Sequence, residues 1–255
     1  MKTLLIAIIL VNFSIAESIS KPVRFHLPKD VGSGNPYFKS LENDFKKHGV
    51  KVVKKKDGFP VRAGKKSLRF EVRFGDCGFD LVWNDCKKDR QRHELSTEIF
   101  NGKKWTAFSI YLPKNFKSVY PVKLAMGQFK QIGGSPNLMF QFTDTGFWAD
   151  RQLSYWTQEM KKLLDIQDMI GKWNDILIYG NFTKNEDGFF KIWVNNKLKY
   201  EYYGKTTSGK PNVFKFGIYQ THINRYSSKP YPTQIVFYDE IRHGKSKKDV
   251  VKNLY

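Results

Sequence analysis

Acidic residues, cysteine and long apolar runs are all scarce in this chain, and each shortage excludes something. Asp and Glu together number 24 against 44 Lys and Arg, so the 255 residues carry a formal charge of +20. Beyond the first residues no stretch approaches 18 consecutive apolar positions, which excludes a membrane-spanning helix there. With 10 Pro and 19 Gly the chain is neither collagen-like nor of low complexity. The two cysteines come without a Cys-x-x-Cys or His-x-x-x-His spacing among the five histidines (26, 48, 93, 222 and 243), so no metal centre is expected from them. No Gly-x-Ser-x-Gly elbow is present for a serine nucleophile. What the chain has is 40% hydrophobic and 16% aromatic residues, with 21 Phe, 13 Tyr and 6 Trp. That composition supports a folded core, mildly favours strands and excludes a disordered tail.

The N-terminus has the pattern of an export leader. Met1-Lys2 gives a positive start, Leu4 to Val11 a short apolar run, and Ser14-Ile15-Ala16 the small residues a signal peptidase reads. Residues 1–16 are therefore set aside as a signal peptide, and 17–255 are expected to form one domain of a secreted or periplasmic protein. That destination permits disulfides. Cys77 and Cys86 sit in one short segment, which reads as a hairpin-like loop clipped by a bridge. A loop this small is stabilised by about 2–3 kcal/mol in the chain-entropy description.

Charge sets the sign of the partner. Outside cells a strongly basic protein meets acidic polysaccharides, which its long-range field attracts. Nucleic acid is not expected, because neither a helix-turn-helix nor an RNA-recognition signature occurs. Much of the charge is ordinary solvated surface: Lys54-Lys55-Lys56, Lys65-Lys66, Lys87-Lys88 and Lys245 with Lys247-Lys248 stand beside turn residues.

Period-two alternation organises the rest. Strands are predicted at 67–74, 92–100, 105–112, 122–131, 137–143, 173–181, 188–195, 213–221 and 234–243. They are separated by turn signals such as Asp57-Gly58, Gly133-Gly134-Ser135-Pro136 and Ser208-Gly209-Lys210-Pro211. A short helix is predicted near 37–48, and 158–170 reads as helical or irregular. Many short strands without βα alternation or an internal repeat predict an all-β antiparallel sandwich of the jelly-roll kind. Asn181-Phe182-Thr183 matches a glycosylation sequon, a pattern too common to carry weight.

Three strands pair a polar face with an apolar one. In Arg92-His93-Glu94-Leu95, Arg92 and Glu94 share one face while His93, with Leu95, is expected inside. Gln128 shares a face with Lys130, and in Phe214-Lys215-Phe216-Gly217-Ile218-Tyr219-Gln220 the residues Lys215, Gly217 and Tyr219 lie opposite a core row of Phe214, Phe216 and Ile218. If these strands are neighbours, one concave surface bears Arg, Gln, two Lys and Tyr, a set suited to a polyuronate. The same segments resemble the motif set of jelly-roll polysaccharide lyases, the group of alginate lyases, glucuronan lyases and heparinase-I-like enzymes. Arg92-His93-Glu94-Leu95 is similar to their Arg-x-Glu-Leu strand, Gln128-Phe129-Lys130 stands where they have Gln-(Ile/Val)-His, and the last segment resembles their Tyr-Phe-Lys-Ala-Gly-x-Tyr strand. Order and spacing agree over about residues 58–243, with one departure: Lys130 replaces the histidine.

The resemblance implies β-elimination next to a uronate carboxylate, which needs donors for the charge that spreads into the carboxylate and a group to move protons. The roles assigned are Tyr219 as base and acid, a role that requires a neighbouring cation to lower its pKa, Gln128 and Arg92 as carboxylate neutralisers with Lys130 in support, and Lys215 as a substrate-binding cation. Glu94 is expected to orient Arg92. His222, just past the third strand, is the substitute base if Lys130 is inert, and Trp148, Tyr155 and Trp156 are candidates to stack on sugar rings. No cofactor or metal is required for the chemistry; a structural calcium ion at loop aspartates such as Asp144 or Asp239 is left unassigned. A monomer acting on an anionic polysaccharide is expected. The competing class is a non-catalytic lectin with the same basic surface. A glycoside hydrolase comes third, because the nearest run to its carboxylate strand, Asp165-Ile166-Gln167-Asp168, lacks glutamate.

Overall fold

The computed structural model describes residues 23–33, 36–41, 45–152 and 158–254. The predicted leader, with Tyr155 and Trp156, lies outside them. Fifteen strands follow in chain order: β1 (Arg24–Phe25), β2 (Tyr37–Lys39), β3 (Val50–Lys54), β4 (Lys66–Val72), β5 (Arg90–Ser96), β6 (Gly102–Tyr111), β7 (Lys123–Gln131), β8 (Pro136–Thr143), β9 (Gly146–Gln152), β10 (Gln158–Asp165), β11 (Trp173–Phe182), β12 (Phe189–Val194), β13 (Lys197–Tyr203), β14 (Asn212–Thr221) and β15 (Gln234–Gly244). One helical turn, α1 (Ile166–Met169), links β10 to β11. An eight-stranded sheet runs β1-β2-β5-β14-β7-β8-β9-β10 and a seven-stranded sheet β13-β12-β11-β6-β15-β4-β3, with every paired strand antiparallel. This is the predicted jelly-roll sandwich. No helix among the described residues is long and apolar enough to cross a membrane.

The core between the sheets is aromatic. Phe214 of β14 packs on Phe129 at 4.9 Å and on Phe108 of the other sheet at 5.6 Å, while Phe70 meets Tyr238 at 5.3 Å. Phe214, Phe216 and Ile218 are fully buried, so alternation along β14 sends Lys215 and Tyr219 to the outer face, as predicted.

Two expectations fail near the chain's early and middle parts. The helix predicted near 37–48 is absent among its described residues: β2 and a turn over 47–49 occupy them. The stretch 158–170 is helical only over α1 and is β10 before it, a strand whose one buried residue is Leu163; an edge strand with one inward side chain leaves no alternation to read.

A bulge fixes the position of the β14 face. Its register against β7 shifts between Phe216 and Tyr219, opposite Gly127 and Ala125. The bulge frees the carbonyls of Met126 and Gly217, and the buried Tyr238 hydroxyl from the opposite sheet lies within hydrogen-bond reach of both, its one proton shared between them. Gly217 has φ 132°, and a Cβ there would stand 2.4 Å from the His93 carbonyl oxygen. Gly217→Ala is expected to destabilise the protein by at least about 2 kcal/mol, read as a lower urea midpoint at unchanged slope.

Candidate functional site

The centre of the eight-stranded sheet places β5, β14 and β7 side by side, in the order the polar faces require. Tyr219 pairs with Arg92 on one side and Ala125 on the other; Lys215 pairs with Ser96 and Gln128. Arg90, Arg92, Glu94, Lys215, Tyr219, Gln128 and Lys130 therefore gather on one outer face.

Two guanidinium groups hold Tyr219. Arg90 Nε donates to its hydroxyl at 2.8 Å, and the Arg92 guanidinium lies over its ring at 4.2 Å. A phenol that accepts one N–H keeps its own proton to give. Burial pushes the Tyr219 pKa up, and the two arginines oppose that without reversing it. The cations that the role requires are there, but in the free protein desolvation outweighs them.

Arg92 is itself almost fully engaged. Asp85 accepts from its Nε at 2.8 Å and Nη2 at 2.6 Å, and Glu94 stands 3.5 Å from Nη1. Glu94 also accepts from Gln128 Nε2 at 2.8 Å, so it orients Gln128 as well as facing Arg92. With Nε2 so committed, one N–H of Gln128 remains for a ligand; its Oε1 is buried without a partner, as is Glu94 Oε2 apart from the Arg92 contact.

The lysines differ in their tethers. Lys215 Nζ donates to Ser40 Oγ at 2.6 Å, and desolvation, reinforced by Arg92 and Lys130, pulls its pKa down to about 8. Lys130 Nζ donates to the Gly134 carbonyl at 2.5 Å and the Gln131 carbonyl at 3.1 Å in the β7–β8 turn, and burial lowers its pKa too. His222 lies one residue past β14 at φ 59°, exposed, with Nδ1 3.0 Å from Thr221 Oγ1. Partial desolvation of the ring, followed by the charges of Arg225 and Arg90, lowers its pKa.

Further along the same face Asp150 is fully buried, accepting from Gln141, from Gln152 Nε2 at 2.7 Å and facing Lys123 Nζ at 3.2 Å. Trp148 beside it donates Nε1 to Thr143 at 3.1 Å and has Lys162 over its ring at 5.2 Å.

A family model described as Polysaccharide lyase matches residues 37–242. The chain belongs to the polysaccharide lyase family. No curated protein matches its sequence. Among solved structures, the endo-beta-1,4-glucuronan lyase from the fungus Trichoderma reesei superposes with a TM-score of 0.60 at 16% identity, over 87% of this chain and 96% of that one. Alginate lyase AlgAT5 from polysaccharide lyase family 7 gives 0.56 at 13% identity, over 86% and 98%. The cellulose induced protein Cip1 gives 0.50 at 11%, over 82% and 91%. These likenesses show a shared fold.

In this lyase the sequence-derived residues Tyr219, Arg92, Glu94, Gln128, Lys130 and Lys215 do come together, whereas His222 stands at the rim. Sequence reading missed Arg90, Asp85, Trp83 and Ser40. Arg90 was within reach, since it continues the Arg92–Glu94 alternation by one step. His93 is interior as expected: Nδ1 lies 2.7 Å from the Glu71 carbonyl and Nε2 accepts from Lys46 N–H at 3.3 Å, and burial lowers its pKa. Its ring nitrogens gather with His48 and Asp76 within 4.8 Å, the spacing of a metal triad. Asp76 Oδ2, however, already meets His48 Nε2 at 2.7 Å and Arg73 N–H at 2.8 Å, so protein groups satisfy the cluster. Asp239 likewise receives the backbone N–H groups of Arg62, Ala63 and Glu240. The sequon residue Asn181 is buried, donating to the Asp187 carbonyl at 3.0 Å.

The cysteines are bridged, with Cα atoms 5.3 Å apart. The loop they close carries Asp85 into the site.

Proposed function

We propose that this polysaccharide lyase is exported and, as a single chain, cleaves an acidic, uronate-containing polysaccharide by β-elimination. The observation that carries the reading is a tyrosine hydroxyl held by Arg90 on a face where Arg90, Lys130 and Lys215 have no carboxylate partner among the described residues. The acids Asp85 and Glu94 face Arg92 and Asp150 faces Lys123, three against the five cations Arg90, Arg92, Lys123, Lys130 and Lys215. The uncancelled charge suits a polyanion.

In the proposed reaction Gln128 and Lys215, with Lys130 in support, hold the uronate carboxylate as negative charge spreads into it. Tyr219, as phenolate, removes the proton from the adjacent ring carbon; the C–H electrons form the ring double bond while the bond to the 4-linked oxygen breaks. That oxygen takes the proton back from Tyr219, leaving an unsaturated uronate and a new sugar end. Arg90 and Arg92 favour the phenolate against the desolvation that raises its pKa. Arg92, saturated by Asp85 and Glu94, acts on Tyr219 rather than directly on substrate. The disulfide is consistent with export, and no cofactor enters the scheme.

The test is ultraviolet absorbance of conjugated unsaturated uronate when the protein meets alginate, glucuronan and heparin. A rise on one of them supports the reading; binding without a rise on any supports the lectin alternative.

Lys215 makes the pH profile specific. Its charged form predominates below pH about 8 and is lost above it, so kcat/KM for the polyanion, relative to that of Lys215→Arg, is expected to fall as pH rises through 8, because arginine stays charged. In kcat the limb should lie higher, since the bound carboxylate raises the lysine's pKa. A parent-to-variant ratio independent of pH would contradict the assignment.

A further inference from the structure

Asp85 takes no part in the proton transfer, yet its side chain is fully buried against the site. Both oxygens grip Arg92, at 2.8 and 2.6 Å, and Oδ1 also accepts the Trp83 indole N–H at 2.8 Å. Its backbone is pinned from both sides: its N–H donates to the Gly78 carbonyl at 2.9 Å, and its carbonyl accepts from Lys88 and Arg90. Cys86 follows it directly and is tied to Cys77. Trp83 meanwhile lies under the Arg90 guanidinium at 5.1 Å. Each arginine that touches Tyr219 is thus braced by the disulfide loop, Arg92 by a carboxylate and Arg90 by an indole.

A two-pronged carboxylate fixes the plane of a guanidinium as well as its position. Here that plane is the surface on which the Tyr219 ring rests. Without Asp85, the nearest carboxylate left to Arg92 is Glu94 at 3.5 Å, which now holds Gln128. Losing the one grip would therefore draw Arg92 off the ring and Glu94 off the amide together.

We propose that Asp85 is a positioning residue: through Arg92 it sets the orientation of the Tyr219 phenol, and the Cys77–Cys86 loop is the mount that carries it. This rests on the reading of Tyr219 as base and acid. Arg92 opposes the burial-driven rise of the phenol's pKa more strongly than Asp85 adds to it, so a guanidinium drawn off the ring should raise that pKa further.

The experiment compares the parent with Asp85→Asn and Asp85→Glu by steady-state kinetics on whichever polyuronate is cleaved, and by carbon-13 NMR titration of the tyrosine ring carbons, with Tyr219→Phe identifying the resonance. In Asp85→Asn, kcat is expected to fall by about 10²-fold, the cost of a small misplacement, with KM little changed and the Tyr219 midpoint moved to higher pH. Asp85→Glu, which keeps the charge but displaces it by one methylene, should restore the midpoint and leave kcat low. A lowered melting temperature with kcat and the Tyr219 midpoint both at parent values would overturn the proposal and leave Asp85 purely structural. If Asp85→Asn does not fold, Asp85→Glu decides by itself: a low kcat at the parent Tyr219 midpoint supports the proposal, and parent kcat overturns it. Should the parent cleave no polymer, the lyase reading of these residues fails by itself, while the NMR midpoints of parent and Asp85→Asn still decide whether Asp85 acts on Tyr219.

Discussion

Tyr219→Phe is expected to lower the rate of unsaturated-uronate formation by about 10³–10⁴-fold, the upper range for removal of a general acid–base group. The substitution is narrow. It keeps the ring on which Arg92 rests at 4.2 Å and deletes only the hydroxyl that accepts from Arg90. Because one phenol serves both proton steps in the proposed scheme, no second residue covers for it. The lysines and Gln128 are untouched, so affinity for the polymer should persist. Calorimetric binding beside the absorbance assay separates the outcomes: retained binding with lost turnover supports the role of Tyr219, and turnover near the parent rate refutes it.

Gln128→Ala should follow at about 10²–10³-fold in kcat, the usual cost of removing one donor to developing charge. Its effect on stability is expected too. Gln128 Nε2 is the hydrogen-bond donor to the buried Glu94 Oε1, and a buried acceptor left without its partner costs about 1–3 kcal/mol. Chemical denaturation would register that loss alongside the kinetics. A variant with full kcat and only reduced stability would restrict Gln128 to a supporting role.

The parts of this site that lie on one strand were legible in the sequence, and the parts that cross between elements were not. Phe214, Phe216 and Ile218 alternate with Lys215 and Tyr219, and a period of two needs only local reading. Arg90 was lost because the predicted strand began at Arg92. Asp89, in the left-handed region at φ 59°, ends the preceding turn and lets β5 begin directly after it. Asp85 could not be tied to Arg92 by spacing, because the chain turns between them and their meeting depends on the disulfide loop. Ser40 reaches Lys215 across 175 positions, a contact that no periodicity encodes. In the fold, β13 and β10 went unread for a shared reason: each is the last strand of its sheet and keeps a single buried side chain, Tyr200 or Leu163. The Lys130 substitution was plain from sequence, but not its consequence. Its amine is turned to the Gly134 and Gln131 carbonyls, which suits electrostatic support better than proton transfer.

Elimination and hydrolysis leave different marks on the product, and this tests the central claim most directly. Digestion of a cleaved polyuronate in oxygen-18 water, followed by mass spectrometry of the fragments, is expected to show fragments lighter by one water than hydrolysis products, with no heavy oxygen incorporated at the cleaved bond. Fragments of full hydrolytic mass carrying one oxygen-18 would contradict the account and assign these residues to a hydrolase.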